Sequence, residues 1–135
     1  MSLIGYALRT AKKYYDLKTY NHALRVAEYV ADNDIIPDDK MDLCISLAIM
    51  HDLVEDTRYS EFNIIPIELS TGLKNITRKR DDKYIDYIKN IVVNKKECPE
   101  AYWVKLADIK DHLCLKDTLT EKLKEKYLEA LRYLL

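Results

Sequence analysis

Hydrophobic positions recur at helical spacing along nearly the whole chain. From Leu3 to Leu17, the residues Ile4, Ala7, Leu8, Ala11 and Tyr15 form one stripe and predict a first helix. A second, beginning at Tyr20 or Asn21, carries Ala23, Val26, Ala27, Val30 and Ala31 at i, i+3, i+4, i+7 and i+8, and Asn33-Asp34 ends it. Pro37-Asp38-Asp39 opens a third. Its apolar stretch from Ile45 onward is hydrophobic nearly all round the wheel, which marks a central helix. The same helix is expected to run on through His51-Asp52-Leu53-Val54-Glu55-Asp56-Thr57. The pattern loosens from Arg58 to Asn63, and Pro66 then opens a helix over Ile67 to Ile76 with Gly72 inside it. After the polar break Arg78-Lys79-Arg80-Asp81-Asp82, a helix from Asp82 to Val93 turns Tyr84, Ile88, Ile91 and Val92 inward. Pro99 opens another, on which Ala101, Val104, Asp108 and Leu115 share a face. Thr118-Leu119-Thr120-Glu121 fits a capping box before a last helix with Leu123, Tyr127, Ala130, Leu131 and Leu134 inward. No segment alternates with period two for long. The fold class read from this pattern is all-α, a bundle of six to seven helices.

Composition narrows the function classes. With 135 residues the chain is read as one domain with a sizeable core. Two Gly and three Pro are too few for the turns of an all-β fold. A net charge of −1 with both signs interspersed gives no basic field for nucleic acid or an acidic membrane. Cys44, Cys98 and Cys114 are odd in number and lack CxxC spacing, so neither a disulfide framework nor a zinc knuckle is expected. No signal peptide or bilayer-length apolar run is visible, and a cytoplasmic address is the expectation. The oligomeric state is left open.

The chemistry concentrates where the central helix turns polar. His51, Asp52, Glu55 and Asp56 are four ionisable groups within six positions, spaced as neighbours on a helix. Burying carboxylates without a counter-charge costs several kcal/mol, about the scale of unpaired polar transfer, and a divalent metal supplies that charge. His22 borders the buried face of the second helix, and Asp108 lies on a stripe otherwise made of Ala101, Val104 and Leu115. Two His and two Asp from three helices suit Mn, Fe, Zn or Co and leave open positions for water and substrate. Taken singly, His22 reads as a core or capping histidine, and Asp108 as an ion-pair partner of Lys105 or Arg25.

The set His22, His51-Asp52 and Asp108 resembles the H…HD…D signature of the HD-domain metal-dependent phosphohydrolases. His51-Asp52-Leu53-Val54-Glu55-Asp56-Thr57, followed by Val104-Lys105-Leu106-Ala107-Asp108, is similar to the hydrolase domain of the RelA/SpoT enzymes and the stand-alone small alarmone hydrolases. His22-Ala23-Leu24-Arg25-Val26-Ala27 and Ile76-Thr77-Arg78 fit the same group, and the likeness runs from about Tyr20 to Leu113. The resemblance implies an HD-type helical bundle with one Mn²⁺, or another divalent transition metal, on His22, His51, Asp52 and Asp108. It implies that Glu55 and Asp56 orient and deprotonate an attacking water, and that the substrate is a phosphorylated nucleotide that loses its 3′-pyrophosphate, as ppGpp does. With no synthetase or regulatory domain following, a stand-alone hydrolase is expected. Lys18, Arg25, Lys105 and His112 are the candidate substrate contacts. His112 stands where the family usually has an Asn, and the basic segment ahead of His22 is shortened to Lys12, Lys13 and Lys18. Arg78-Lys79-Arg80 reads as a solvated loop or a phosphate grip, and Tyr14, Tyr15, Tyr20 and Trp103 as packing. The alternatives are another HD-type nucleotidase or phosphodiesterase, and a non-catalytic helical binding module with a structural metal.

Overall fold

The computed structural model describes residues 2–59 and 65–135. In chain order the helices are α1 (Leu3–Tyr14), α2 (Leu17–Ala31), α3 (Asp38–Met50), the single turn α4 (Leu53–Asp56), α5 (Ile67–Ile76), α6 (Tyr84–Val93), α7 (Pro99–Cys114) and α8 (Glu121–Leu134). Seven of these have ten residues or more, and no strand is present among the described residues. The fold is therefore all-α, as the hydrophobic periodicity requires. Among the described residues no helix is long and apolar enough to cross a membrane.

Two apolar clusters organise the packing, and α7 belongs to both. The larger gathers α1, α2, α5 and α7 around α3, whose Leu47, Ala48, Ile49 and Met50 are buried whichever way they point. The smaller joins α6, α7 and α8 through Ile88, Ile91, Tyr102, Ile109, Tyr127 and Leu134. Polar side chains on α7 facing the boundary between the clusters are thereby held inside the protein. Gly72 lets α5 lie close to α3 and α7: a Cβ there would meet Leu47 Cδ2 at 2.8 Å and Glu100 Cγ at 3.2 Å.

Four helix ends differ from the sequence expectation. The first helix stops at Tyr14 rather than Leu17, and the second starts at Leu17 rather than Tyr20 or Asn21. Asp16 caps α2 by accepting from the Thr19 amide at 2.8 Å, and this cap sets the start ahead of the apolar stripe. The last helix is capped by Thr120, which accepts from the Leu123 amide at 3.2 Å, so the capping-box frame from Thr118 is displaced by two residues. The α6 helix starts at Tyr84, with Lys83 ahead of it, two residues later than expected.

A further difference shapes the site. The central helix does not run through to Thr57 but breaks at His51-Asp52. To continue, the Asp52 amide would bond Ala48 O and the Leu53 amide would bond Ile49 O. Side chains take both acceptors: His51 Nδ1 donates to Ala48 O at 2.6 Å, and the Tyr15 hydroxyl donates to Ile49 O at 2.8 Å. The Asp52 amide donates instead to Tyr15 Oη at 3.2 Å. The His51-Asp52 dipeptide thus sits in a turn pinned by α1's end, and Glu55 and Asp56 belong to a separate helical turn. Of the loosened segment expected from Arg58 to Asn63, positions 60–63 lie outside the described residues.

Candidate metal centre

The centre is built where α2 crosses α7. His22 and Arg25, three apart on α2, face Asp108 and Asp111, three apart on α7, so each helix presents two polar side chains on adjacent turns. His22 Nε2 lies 2.9 Å from Asp108 Oδ1 and its Nδ1 lies 2.6 Å from Asp111 Oδ2. Arg25 closes on Asp111 with Nε at 2.9 Å from Oδ1 and Nη2 at 3.1 Å from Oδ2. From the end of α3, His51 brings Nε2 to 3.2 Å from the same Asp108 Oδ1. Asp52 Oδ2 is 3.2 Å from His51 Nε2 and 3.6 Å from His22 Nε2.

These groups form a donor set for a cation. His22, His51 and Asp108, all buried, offer ligand atoms that lie within 4.8 Å of one another, a group that can hold a metal ion. The closest pairs sit near the ~3 Å edge expected between adjacent ligands at about 2.1 Å from a shared ion. Proton placement points the same way. Ala48 O can only accept, so His51 carries its proton on Nδ1. Asp111, an acceptor when ionised, holds the His22 proton on Nδ1 in the same manner. Neutral rings therefore aim the Nε2 lone pair at a carboxylate oxygen, which is favourable only with a proton or a cation between them. Without a metal the proton fills that role. Burial alone lowers His22, but the ring's hydrogen bonds to Asp108 and Asp111, with the Asp108 charge, outweigh it and raise the ring above its usual value. Burial opposes the charge on His51 as well, and Asp52 and Asp108 raise it well above. Asp108, despite burial, is held well below the carboxylate range, first by Lys105 and then by His51. Asp52 is lowered against burial chiefly by His51.

Lys105 fixes the carboxylate from behind. Its ammonium lies 2.8 Å from Asp108 Oδ2, in a buried position beside the Tyr84 and Tyr87 rings. One oxygen of Asp108 is thereby committed to Lys105 while the other faces the imidazoles.

A cleft of about 230 Å³ opens over this centre, lined by Asp52, Glu55, Asp56, Arg78, Tyr84, Tyr87, Lys105, Asp108, His112, Lys126 and Tyr127. Its lining carries both signs. Glu55 and Asp56 stand near Asp52. Loss of water on their protein side raises both above the ordinary carboxylate value, an effect that the Arg78 amide reduces at Glu55 by donating to its Oε1. Arg78 and Lys126 lie against the Tyr84 ring, Lys126 Nζ at 4.1 Å from its centroid. Partial burial lowers Lys126, with Arg78 and Lys105 adding repulsion. The Tyr84 hydroxyl is buried in this wall with no hydrogen-bond partner among the described residues, a group that a ligand oxygen or a water can satisfy.

Of the residues singled out from sequence, the structure brings together His22, His51, Asp52, Asp108, Lys105 and His112, with Glu55 and Asp56 at the cleft's edge. Lys18 is exposed on the first turn of α2, and Arg25 is engaged by Asp111; neither lines the cleft. Sequence reading missed Asp111, Tyr15, Tyr84 and Lys126 as site residues. Asp111 had a usable signal, since it lies one turn from Asp108 on the same face. Tyr15 and Lys126 had none, because their roles depend on helices far off in sequence. The three cysteines are free, Cys44 and Cys98 buried and Cys114 exposed. No protein-family model matches the chain, and no curated protein matches it.

Proposed function

We propose that this chain is a metal-dependent phosphohydrolase of the HD type, acting on the pyrophosphate of a phosphorylated nucleotide. The 3′-pyrophosphate of a guanosine or adenosine alarmone is the substrate that the sequence resemblance favours, and Mn²⁺ the ion. One observation carries the reading: the buried His22, His51 and Asp108 group borders, through Asp108, an open cleft that is also lined by the spare carboxylates Glu55 and Asp56 and by the cations Arg78 and Lys126. A structural metal site has no use for the opening or for the spare carboxylates.

His22, His51, Asp52 and Asp108 would hold the ion, which supplies a water of lowered pKa and positive charge against phosphoryl oxygens. Glu55 or Asp56 would take that water's proton, and the Arg78 amide keeps the Glu55 carboxylate at the cleft's edge. The Arg78 and Lys126 side chains would draw the phosphate oxygens toward Tyr84, which can donate its hydroxyl. A cleft of about 230 Å³ is smaller than a typical ligand pocket, which spans roughly 300–1,000 Å³. It suits the phosphate end of the substrate and leaves the nucleoside outside. That same observation favours, as second reading, an HD-type nucleotidase or phosphodiesterase with loose base selection.

The test is release of pyrophosphate and phosphate by the Mn²⁺-loaded protein from ppGpp, pppGpp, ppApp, nucleoside monophosphates and cyclic nucleotides. Asp52→Ala serves as the blank, and Glu55→Gln with Asp56→Asn as variants that keep the ligands. Metal-dependent pyrophosphate release that Asp52→Ala abolishes is expected, with a loss of about 10²- to 10⁴-fold in the carboxamide double variant. Turnover of monophosphates or cyclic nucleotides alone would move the substrate to the second reading. Inactivity of a folded, metal-loaded protein on the whole panel would favour a binding module.

A further inference from the structure

We infer that His112 is a third imidazole ligand of the metal centre, an assignment that rests on the metal part of the function proposed above. The sequence has three histidines, and all three bring Nε2 close to one atom. His22, His51 and His112 place that nitrogen 2.9, 3.2 and 3.2 Å from Asp108 Oδ1. His112 follows Asp108 by one turn on α7, the spacing at which two side chains of a helix reach a common point.

Its ring is held on both faces. Tyr127 of α8 stacks on it with centroids 4.8 Å apart and planes 7° from parallel, and the His22 ring lies 4.6 Å away. The imidazole is thus fixed in plane with Nε2 toward the centre. Its side chain keeps 33% of its exposure and lines the cleft, whereas His51 is buried.

Hydrogen bonding to Asp108 does not account for this arrangement. A carboxylate oxygen has two lone pairs, and on Oδ1 two donors exhaust them. His22 and His51 already meet Oδ1 with hydrogen-bond geometry and Lys105 takes Oδ2, yet His112 Nε2 sits 3.2 Å from Oδ1 without a hydrogen bond to it. A shared cation would account for the third nitrogen. A third imidazole makes the donor set more nitrogen-rich and shifts its preference from Mn²⁺ toward Fe²⁺, Co²⁺ and Zn²⁺. It also withdraws His112 from contact with a nucleoside, at a position where the resembling enzymes carry an Asn.

Co²⁺ is the probe. Metal-free protein and a His112→Asn variant are titrated with Co²⁺ against a chromophoric chelator, and the loaded proteins are examined by proton NMR in water. Each coordinated imidazole contributes one far-shifted, exchangeable ring N–H signal. Three such signals are expected in the wild type and two in His112→Asn, with Co²⁺ affinity falling about tenfold or more and the Zn²⁺-over-Mn²⁺ preference falling with it. Two signals in the wild type, or a His112→Asn protein with unchanged affinity, would overturn the assignment while leaving the metal site in place. A wild type that takes up no Co²⁺, Zn²⁺ or Mn²⁺ would overturn the metal reading of the whole site.

Discussion

Lys105 Nζ and Asp108 Oδ2 lie 2.8 Å apart, both buried, one turn apart on α7. The pair divides the labour of one carboxylate: Oδ2 is neutralised from the protein side, and Oδ1 is left for the imidazoles. Removing the lysine strands a buried negative charge, which costs about 3 kcal/mol or more in comparable pairs. Lys105→Met should therefore lower stability by roughly that amount in urea unfolding of the metal-free protein. Saturating metal should restore part of the loss, because the ion supplies the missing charge. An unchanged midpoint would show that the imidazoles alone balance Asp108.

Asp111 touches no proposed ligand atom, yet it holds His22 through Nδ1 at 2.6 Å and is itself clamped by Arg25. Partners of this kind set the tautomer and ring direction of a ligating histidine. Asp111→Asn should weaken metal affinity by about 10- to 100-fold while leaving the helical content intact. Chelator competition and circular dichroism measure the two. Equal affinities would mean that packing alone orients His22.

Stability of the metal-free protein should peak between two titrations. His22 and His51 are raised above 6.5, so their ion pairs stabilise fully below that value and are lost as pH climbs through the raised values. Asp52 and Asp108 are lowered below 3.8, so their contribution is present above that value and is lost as pH falls through the lowered ones. Metal binding needs neutral imidazoles and must expel those protons. The metal-induced rise in Tm should accordingly grow between about pH 5.5 and about pH 8. A rise independent of pH would place the ion away from the histidines.

Tyr84→Phe separates folding from binding. The buried hydroxyl has no partner among the described residues, and leaving such a group unsatisfied costs about 1–3 kcal/mol. Its removal should raise stability by about 1 kcal/mol and raise KM several-fold on the substrate that the activity panel identifies. An ordered water already serving the hydroxyl would reverse the sign of the stability change.

The helices, and His22, His51 and Asp108 as polar groups carried inward, were legible in the sequence. Helical periodicity is a local property, and Ala23, Val26, Ala27 and Val30 lie buried on α2 as their spacing requires. Asp108 on an apolar stripe and His51 after an apolar run each announced a polar group carried inward, and both are buried. Helix ends were less legible where caps competed with periodicity, as at Asp16 and Thr120.

What only the tertiary structure decided is where those donors point. The break at His51-Asp52 exists because Tyr15, 34 positions before Ile49, takes a carbonyl that the helix would otherwise use. Arg25 goes to Asp111 and not to Asp108, and His112 turns toward Asp108 under the Tyr127 ring. These choices depend on which helices pack together, with His22 and Asp111 meeting across 89 positions of chain. Residue type and local spacing fix what a side chain can do. Which partner it meets is set by packing between distant segments, and no local pattern encodes that.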